Sequence, residues 1–219
     1  MRPPGFCIGV LLFAGLAFPL EGQLFRGTSI EVIGGATELV LIEEAQFQNL
    51  LLRGAAYGAE GRLVIGWGEL EGRYLASVLN GPRPGTGGDL HEGEAHGGVR
   101  VLPWMRIEGG ARVRGLLNAA GTRRLVVWSM GGSVRAPLVR DIAWASGRYS
   151  HTIGGRSNAR GAVERGRRVE VGLSVEPPGA MGFASVTYRL DRDNFVEGTR
   201  WTAAESAERI VVSLGLRVP

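Results

Sequence analysis

The chain has a single cysteine, Cys7, and it lies in an N-terminal stretch that reads as an export signal. The rest of the protein therefore has no disulfide, no thiol nucleophile and no thiolate metal site. Lysine is absent altogether, so all 25 basic residues are arginine. They are dispersed with acids between them, and the formal charge is only +4. A nucleic-acid footprint would gather basic residues on one element, so no nucleic-acid partner is expected. Beyond residue 25 no apolar run approaches the roughly 20 residues that a spanning helix needs, which excludes a helical membrane bundle.

Glycine is what the chain has in excess: 36 in 219 residues, against a usual frequency of about 7%. The glycines are scattered through strand-like segments without the strict period of collagen. Glycine weakens a strand, so tight turns, barrel bends and a crowded interior are the physical reasons to look for.

Residues 1–22 read as a cleaved signal helix. Arg2 supplies a short positive start, Cys7 to Leu20 is apolar, and Pro19 and Gly22 provide the break and a small residue for cleavage near Gly22. The apolar core is too short to anchor across a bilayer. Residues 23–219 are then the exported domain, with 23–47 either a first strand or an N-terminal arm.

Period-2 alternation runs through that domain. Val169, Val171, Leu173 and Val175 alternate with Glu170, Gly172 and Ser174. Ala184, Val186, Tyr188 and Leu190 alternate with Ser185, Thr187, Arg189 and Asp191. Ile210, Val212, Leu214 and Leu216 share a face opposite Arg209, Ser213, Gly215 and Arg217. Met105, Ile107, Gly109, Ala111 and Val113 alternate with Arg106, Glu108, Gly110, Arg112 and Arg114. Each pattern is a strand with one apolar and one polar face. The pattern predicts about ten strands, or eight if residues 23–57 stay outside the sheet. Thr202 to Glu208 is the one weak helical candidate. Short connections are expected at 57–61, 102–104, 131–133 and 176–182. Longer polar ones are expected at 79–90, 152–165 and 192–208, with 118–122 a shorter member of that class.

A soluble sandwich and a membrane barrel share this alternation, and only the direction of the apolar faces separates them. The better strands read at about nine to twelve residues, which suits the roughly nine to eleven that cross a bilayer when tilted. Long and short connections alternate, and the polar faces mix Arg, Glu, Ser and Gly as a narrow wet interior would. Trp104 and Tyr74 fall near predicted strand ends, whereas Trp67, Trp128, Trp144 and Tyr188 fall inside strands.

Residues 92–117, EGEAHGGVRVLPWMRIEGGARVRGLL, resemble a hairpin of Gram-negative outer-membrane β-barrel proteins, with two alternating strands around a Pro-Trp turn. The ending TYRLDRDNF…ERIVVSLGLRV resembles their last hairpin, and the likeness covers residues 48–219. One departure is that residues 217–219 read Arg-Val-Pro, where those proteins usually close on an aromatic residue. The resemblance implies an all-β, antiparallel, up-and-down transmembrane β-barrel in the outer membrane. The partners it implies are the lipid bilayer, lipopolysaccharide-like lipids and the outer-membrane insertion machinery.

The candidate chemistry is sparse. His151, Ser157 and Glu164 are the nearest to a hydrolytic set, but barrels that deacylate lipid A hold His and Ser two residues apart on one strand, unlike this spacing. His91 and His96 flank Glu92 and Glu94, a donor set suited to a divalent metal, but their odd separation puts the two imidazoles on opposite faces of a strand. Gly85 to Gly88 lack the Lys-Ser/Thr of a phosphate loop and open no helix. Arg123 with Arg124, and Arg165 with Arg167 and Arg168, are basic clusters at loop bases, suited to lipid phosphates. No catalytic, cofactor-binding or metal residue is assigned, and no cofactor is expected. The reading is a non-enzymatic outer-membrane barrel with a structural or binding role in the cell envelope. The alternatives are a secreted soluble β-barrel or sandwich that binds a small apolar ligand, and a membrane-embedded lipid hydrolase.

Overall fold

A computed structural model describes residues 28–43, 48–82, 87–119, 121–140, 142–159, 161–197 and 200–217. The expected signal helix and its cleavage site lie outside the described residues. The sheet comprises β1 (Ser29–Glu43), β2 (Gln48–Ile65), β3 (Gly68–Asn80), β4 (Gly88–Leu102), β5 (Met105–Asn118), β6 (Gly121–Val139), β7 (Ala143–Ser157), β8 (Gly161–Val175), β9 (Gly182–Glu197) and β10 (Arg200–Arg217). Each strand pairs antiparallel with its sequence neighbours, and β1 pairs with β10 to close a barrel. Closure leaves no free edge, so every strand can pair its backbone polar groups without water.

Ten strands is the expected number, and residues 29–43 form one of them rather than an arm. Their register also fixes the tilt. Stepping across paired residues from Gly68 on β3 leads through Val99, Ile107, Gly132, Tyr149 and Val169. It continues through Leu190, Glu208, Glu38 and Arg53, and returns to β3 at Asn80. The circuit ends a whole strand length from its start. Such a stagger requires strands steeply inclined to the barrel axis, by roughly 35–45° as in other closed sheets.

The structure corrects several connections. Residues 57–61 lie within β2, and the turn is at Gly66 and Trp67, where Gly66 takes φ 58°. Residues 131–133 lie within β6, whose turn follows Val139. The long polar loops expected at 152–165 and 192–208 are strand over most of their length, since β7 reaches Ser157, β8 starts at Gly161, β9 reaches Glu197 and β10 starts at Arg200. The weak helical candidate at 202–208 is part of β10. Strands accordingly run from 13 to 19 residues, longer than expected. Long and short connections do not alternate; the chain spends those residues on strands that outrun a bilayer.

The misread turns share a cause. Gly58 and Gly131 face the lumen, and a Cβ on either would sit 2.0 Å from a carbonyl oxygen of the adjacent strand, that of Tyr74 or of Tyr149. These glycines permit close strand approach rather than a reversal. Gly34 and Gly35 make the same point side by side. A Cβ on Gly34 meets nothing within 4 Å, whereas one on Gly35 would lie 2.3 Å from the Ile210 oxygen and 2.7 Å from Val211 Cα. Gly35→Ala is therefore expected to destabilise the barrel by about 1–3 kcal/mol, with Gly34→Ala near neutral, as read from urea midpoints of the folded form in vesicles.

Candidate functional site

The barrel has two ends. The terminal end carries Ser29, Arg217 and the turns after β2, β4, β6 and β8; the far end carries the other connections. Between them the faces separate cleanly. Val171 is 50% exposed, Val186 41% and Val212 53%, whereas Arg168, Arg189 and Arg209 are 5%, 1% and 2% exposed. The apolar faces therefore point out and the charged faces point in. A water-soluble sandwich would reverse this.

The outward apolar residues form a belt nearer the terminal end. On β8 it runs from Val175 to Val169, on β10 from Leu216 to Ile210, and on β1 from Ile30 to Val32. Trp67 and Trp104 stand exposed in turns at its terminal border, whereas Trp144 shares the lumen face of β7 with Ser146 and Arg148 and lies under the Arg135 guanidinium at 4.5 Å. Trp67 was expected inside a strand; the true β2–β3 turn moves it to the border. Tyr57, Tyr74 and Trp128 face out higher up the barrel. Amphipathic rings favour the membrane–water boundary, which gives both rows a reason. Beyond the belt the outer face turns polar, with Glu38, Arg53, Asp89, His91, Arg124 and Arg192.

The lumen is filled in three zones. At the far end, Leu39, Leu52, Leu79, Leu90, Leu116 and Ala207 pack into one apolar cluster. Leu125, Val127, Val163, Phe195 and Ala203 form a second. The middle is an ion-pair lattice. Glu92 on β4 accepts hydrogen bonds from Arg114 Nε at 2.6 Å, Arg189 Nη2 at 2.9 Å and Arg209 Nη1 at 2.6 Å. Glu94 accepts from Arg168 Nη2 at 2.6 Å and Arg189 Nη1 at 2.9 Å. Asp191 on β9 lies 2.9 Å from Arg112, 2.7 Å from Arg168 and 2.9 Å from Arg189, with Arg114 and Arg209 slightly farther. β4 and β9 are on opposite walls of the closed sheet, so these bonds tie the two sides across the lumen. Nearer the terminal end, Arg148 grips Glu71 through both terminal nitrogens, at 2.7 and 2.5 Å, and reaches Glu108 at 2.7 Å. Arg106 bonds Glu69, and Arg73 bridges Glu60 and Glu170. The third zone is a cavity of about 380 Å³ at the terminal end, bordered by Glu31, Arg62, Arg100, Arg135, Glu176 and Ser185 among others.

Each charge in the lattice has been taken from water, and only several opposite charges at hydrogen-bond distance offset that cost. Arginine suits the task because its planar fork can serve two carboxylates at once.

These features define a class. A closed antiparallel sheet with an apolar outer belt, aromatic borders and a packed charged interior is a transmembrane β-barrel of the bacterial outer-membrane kind, and the outer membrane is its location. No protein-family model and no curated protein matches the sequence. Among solved structures the chain is similar to the translocator domain of the autotransporter NalP from Neisseria meningitidis, at 13% identity and a TM-score of 0.42, covering 88% of this chain and 90% of that one. It is similar to an outer-membrane channel from Pseudomonas putida F1, at 10% identity and a TM-score of 0.42, covering 90% and 98%. A third likeness is the β-domain of the Bordetella autotransporter Brka, at 10% identity and a TM-score of 0.39, covering 88% and 99%.

The residues singled out in the sequence fall as follows. His151 is exposed on the outer face, whereas Ser157 is buried with its Oγ accepting from the Ala159 amide at 3.2 Å, so the hydrolytic set is not assembled. Glu164 is exposed at a β8 irregularity. His91 and His96 do face opposite sides. His91 is linked to Tyr74 Oη at 2.8 Å on the outer face; His96 sits in the lumen 3.3 Å from Arg168. Glu92 and Glu94 are committed to arginines. Arg168 points inward while Arg165 and Arg167 point out. Of the Gly-rich stretch, residues 83–86 lie outside the described residues. Sequence reading missed the lattice as a set. Its signal was there: Glu92, Glu94 and His96 on β4, or Arg189, Asp191 and Asp193 on β9, recur every second residue and so share a face.

Proposed function

We propose that the protein is a non-enzymatic outer-membrane barrel with a structural or binding role, and that its lumen does not conduct. The observation that carries this reading is the double obstruction: an apolar plug at the far end above a lattice of bonded charges in the middle. A narrow barrel filled by side chains leaves no continuous water path. For the binding role, the terminal-end cavity of about 380 Å³ falls within the usual size of small-ligand sites and offers both signs of charge. The partners on this reading are the bilayer, lipopolysaccharide-like lipids and the insertion machinery that would place the barrel there. A soluble apolar-ligand binder is not supported, because the apolar belt faces outward and the apolar side chains inside the lumen pack against one another. A lipid hydrolase built on His151 and Ser157 is not supported either, because the two side chains face opposite sides of the sheet.

In planar bilayers the folded protein is expected to leave the membrane silent under applied voltage. A steady ohmic conductance from the wild-type chain would overturn the closed-lumen reading.

A further inference from the structure

The outer face beyond the belt is not evenly charged. Arg167 on β8 and Arg192 on β9 are direct cross-strand partners, and both are exposed. His151 on β7 is the other cross-strand partner of Arg167, and it is exposed too. Arg165, two residues further along β8, adds another exposed guanidinium on the same face. Like charges set directly opposite each other in a sheet repel. In the lumen lattice the arginines face carboxylates, as Arg168 and its cross-strand partner Asp191 show at 2.7 Å. Outside, one residue away, no ion pair joins Arg165, Arg167 or Arg192 to any acid among the described residues, Glu164 on the same strand included. The patch also has a defined height. Val169, the residue that ends the apolar run on β8, is two positions from Arg167.

We infer that Arg165, Arg167 and Arg192, with His151 beside them, form a binding site for the phosphate group of a membrane lipid in the leaflet at the far end of the barrel. Phosphate satisfies both requirements of the site. Its oxygens accept several guanidinium hydrogen bonds at once, and its charge relieves the cross-strand repulsion. The position at the edge of the belt selects a lipid headgroup, because acyl chains attached to that phosphate would lie along Val169, Val171 and Leu190. This site rests on the membrane-barrel reading and gives it a specific lipid chemistry.

The test folds the full chain into phosphatidylcholine vesicles that are plain, that contain bisphosphorylated lipid A, or that contain its dephosphorylated form. Plain vesicles with added inorganic phosphate make a fourth condition. The readouts are the unfolding temperature of the heat-modifiable band and the lipid retained in native mass spectrometry. Wild type is expected to unfold at higher temperature only with the phosphorylated lipid, and to retain it. Arg167→Gln and Arg192→Gln are each expected to lower retention roughly tenfold. In plain vesicles the same variants should be at least as stable as wild type, because a repulsion has been removed, and this sign reversal would not follow from a merely structural role. Equal retention by wild type and the double variant overturns the site. So does an equal gain from the dephosphorylated lipid. A full gain from inorganic phosphate alone overturns the assignment to a lipid. Failure to fold in any vesicle would sink the membrane-barrel reading itself, an outcome distinct from folding without lipid selectivity.

Discussion

Asp191→Ala is expected to cost the folded barrel about 3–5 kcal/mol, the range for removing one partner from a buried ionic network. Asp191 is fully buried, and Arg112, Arg168 and Arg189 each hold it within 3 Å, with Arg114 and Arg209 just beyond. Without it, positive charges that cannot reach water face one another in the middle of the lumen. Glu92 and Glu94 remain, but their oxygens already accept from the same arginines. The control is Arg53→Ala. Arg53 makes the same kind of bond with Glu38, at 2.7 Å, but its side chain is 69% exposed on the outer face, so its loss should cost at most about 1 kcal/mol. Urea unfolding in vesicles, followed by the heat-modifiable band, measures both. Combining Asp191→Ala with Arg189→Ala should recover part of the loss, since two groups that share a network are not additive. Equal costs for Asp191→Ala and Arg53→Ala would show that the lattice does not support the barrel.

The second large effect concerns the outer face. Val171→Arg places a guanidinium in the middle of the β8 apolar run, with Val169 on one side and Leu173 and Val175 on the other. Its cross-strand neighbours are Gly147 and Tyr188, neither of which carries a counter-charge. An arginine at the bilayer midplane of such a barrel costs about 2–4 kcal/mol, falling to about 0–1 near the interface. Thr122→Arg, at the exposed far end of β6, should therefore be nearly silent in the same assay. Were Val171→Arg as well tolerated as Thr122→Arg, the belt would not be facing lipid.

Much of this architecture was legible in the residues because a strand has a period of two, and a period of two assigns a face without knowing any partner. Val171 and Arg168 were bound to lie on opposite sides of their sheet whatever the register. The strand count was also right, though partly by cancellation. Turns were read at 57–61 and 131–133 because glycine marks turns more often than it marks close strand contact. At Gly58 and Gly131 what decides is the carbonyl of the neighbouring strand, which a single segment of sequence does not contain. The long-loop expectation at 152–165 and 192–208 failed for a related reason. Polar residues there belong to strands that continue past the membrane, where both faces can be polar.

The residues alone establish that the described segments are β, that their strands carry an apolar and a polar face, and that Cys7 is the single thiol in the chain. These follow from composition and alternation, which are local. Which face met lipid, which arginine met which carboxylate, and whether the lumen was shut depended on closure and stagger. The partners of Asp191 come from β5, β8, β9 and β10, and the partners of Glu92 from β5, β9 and β10. Only a closed sheet with its particular tilt brings those side chains to one point, because Coulomb and hydrogen-bond energies depend on distance in space and not on separation along the chain.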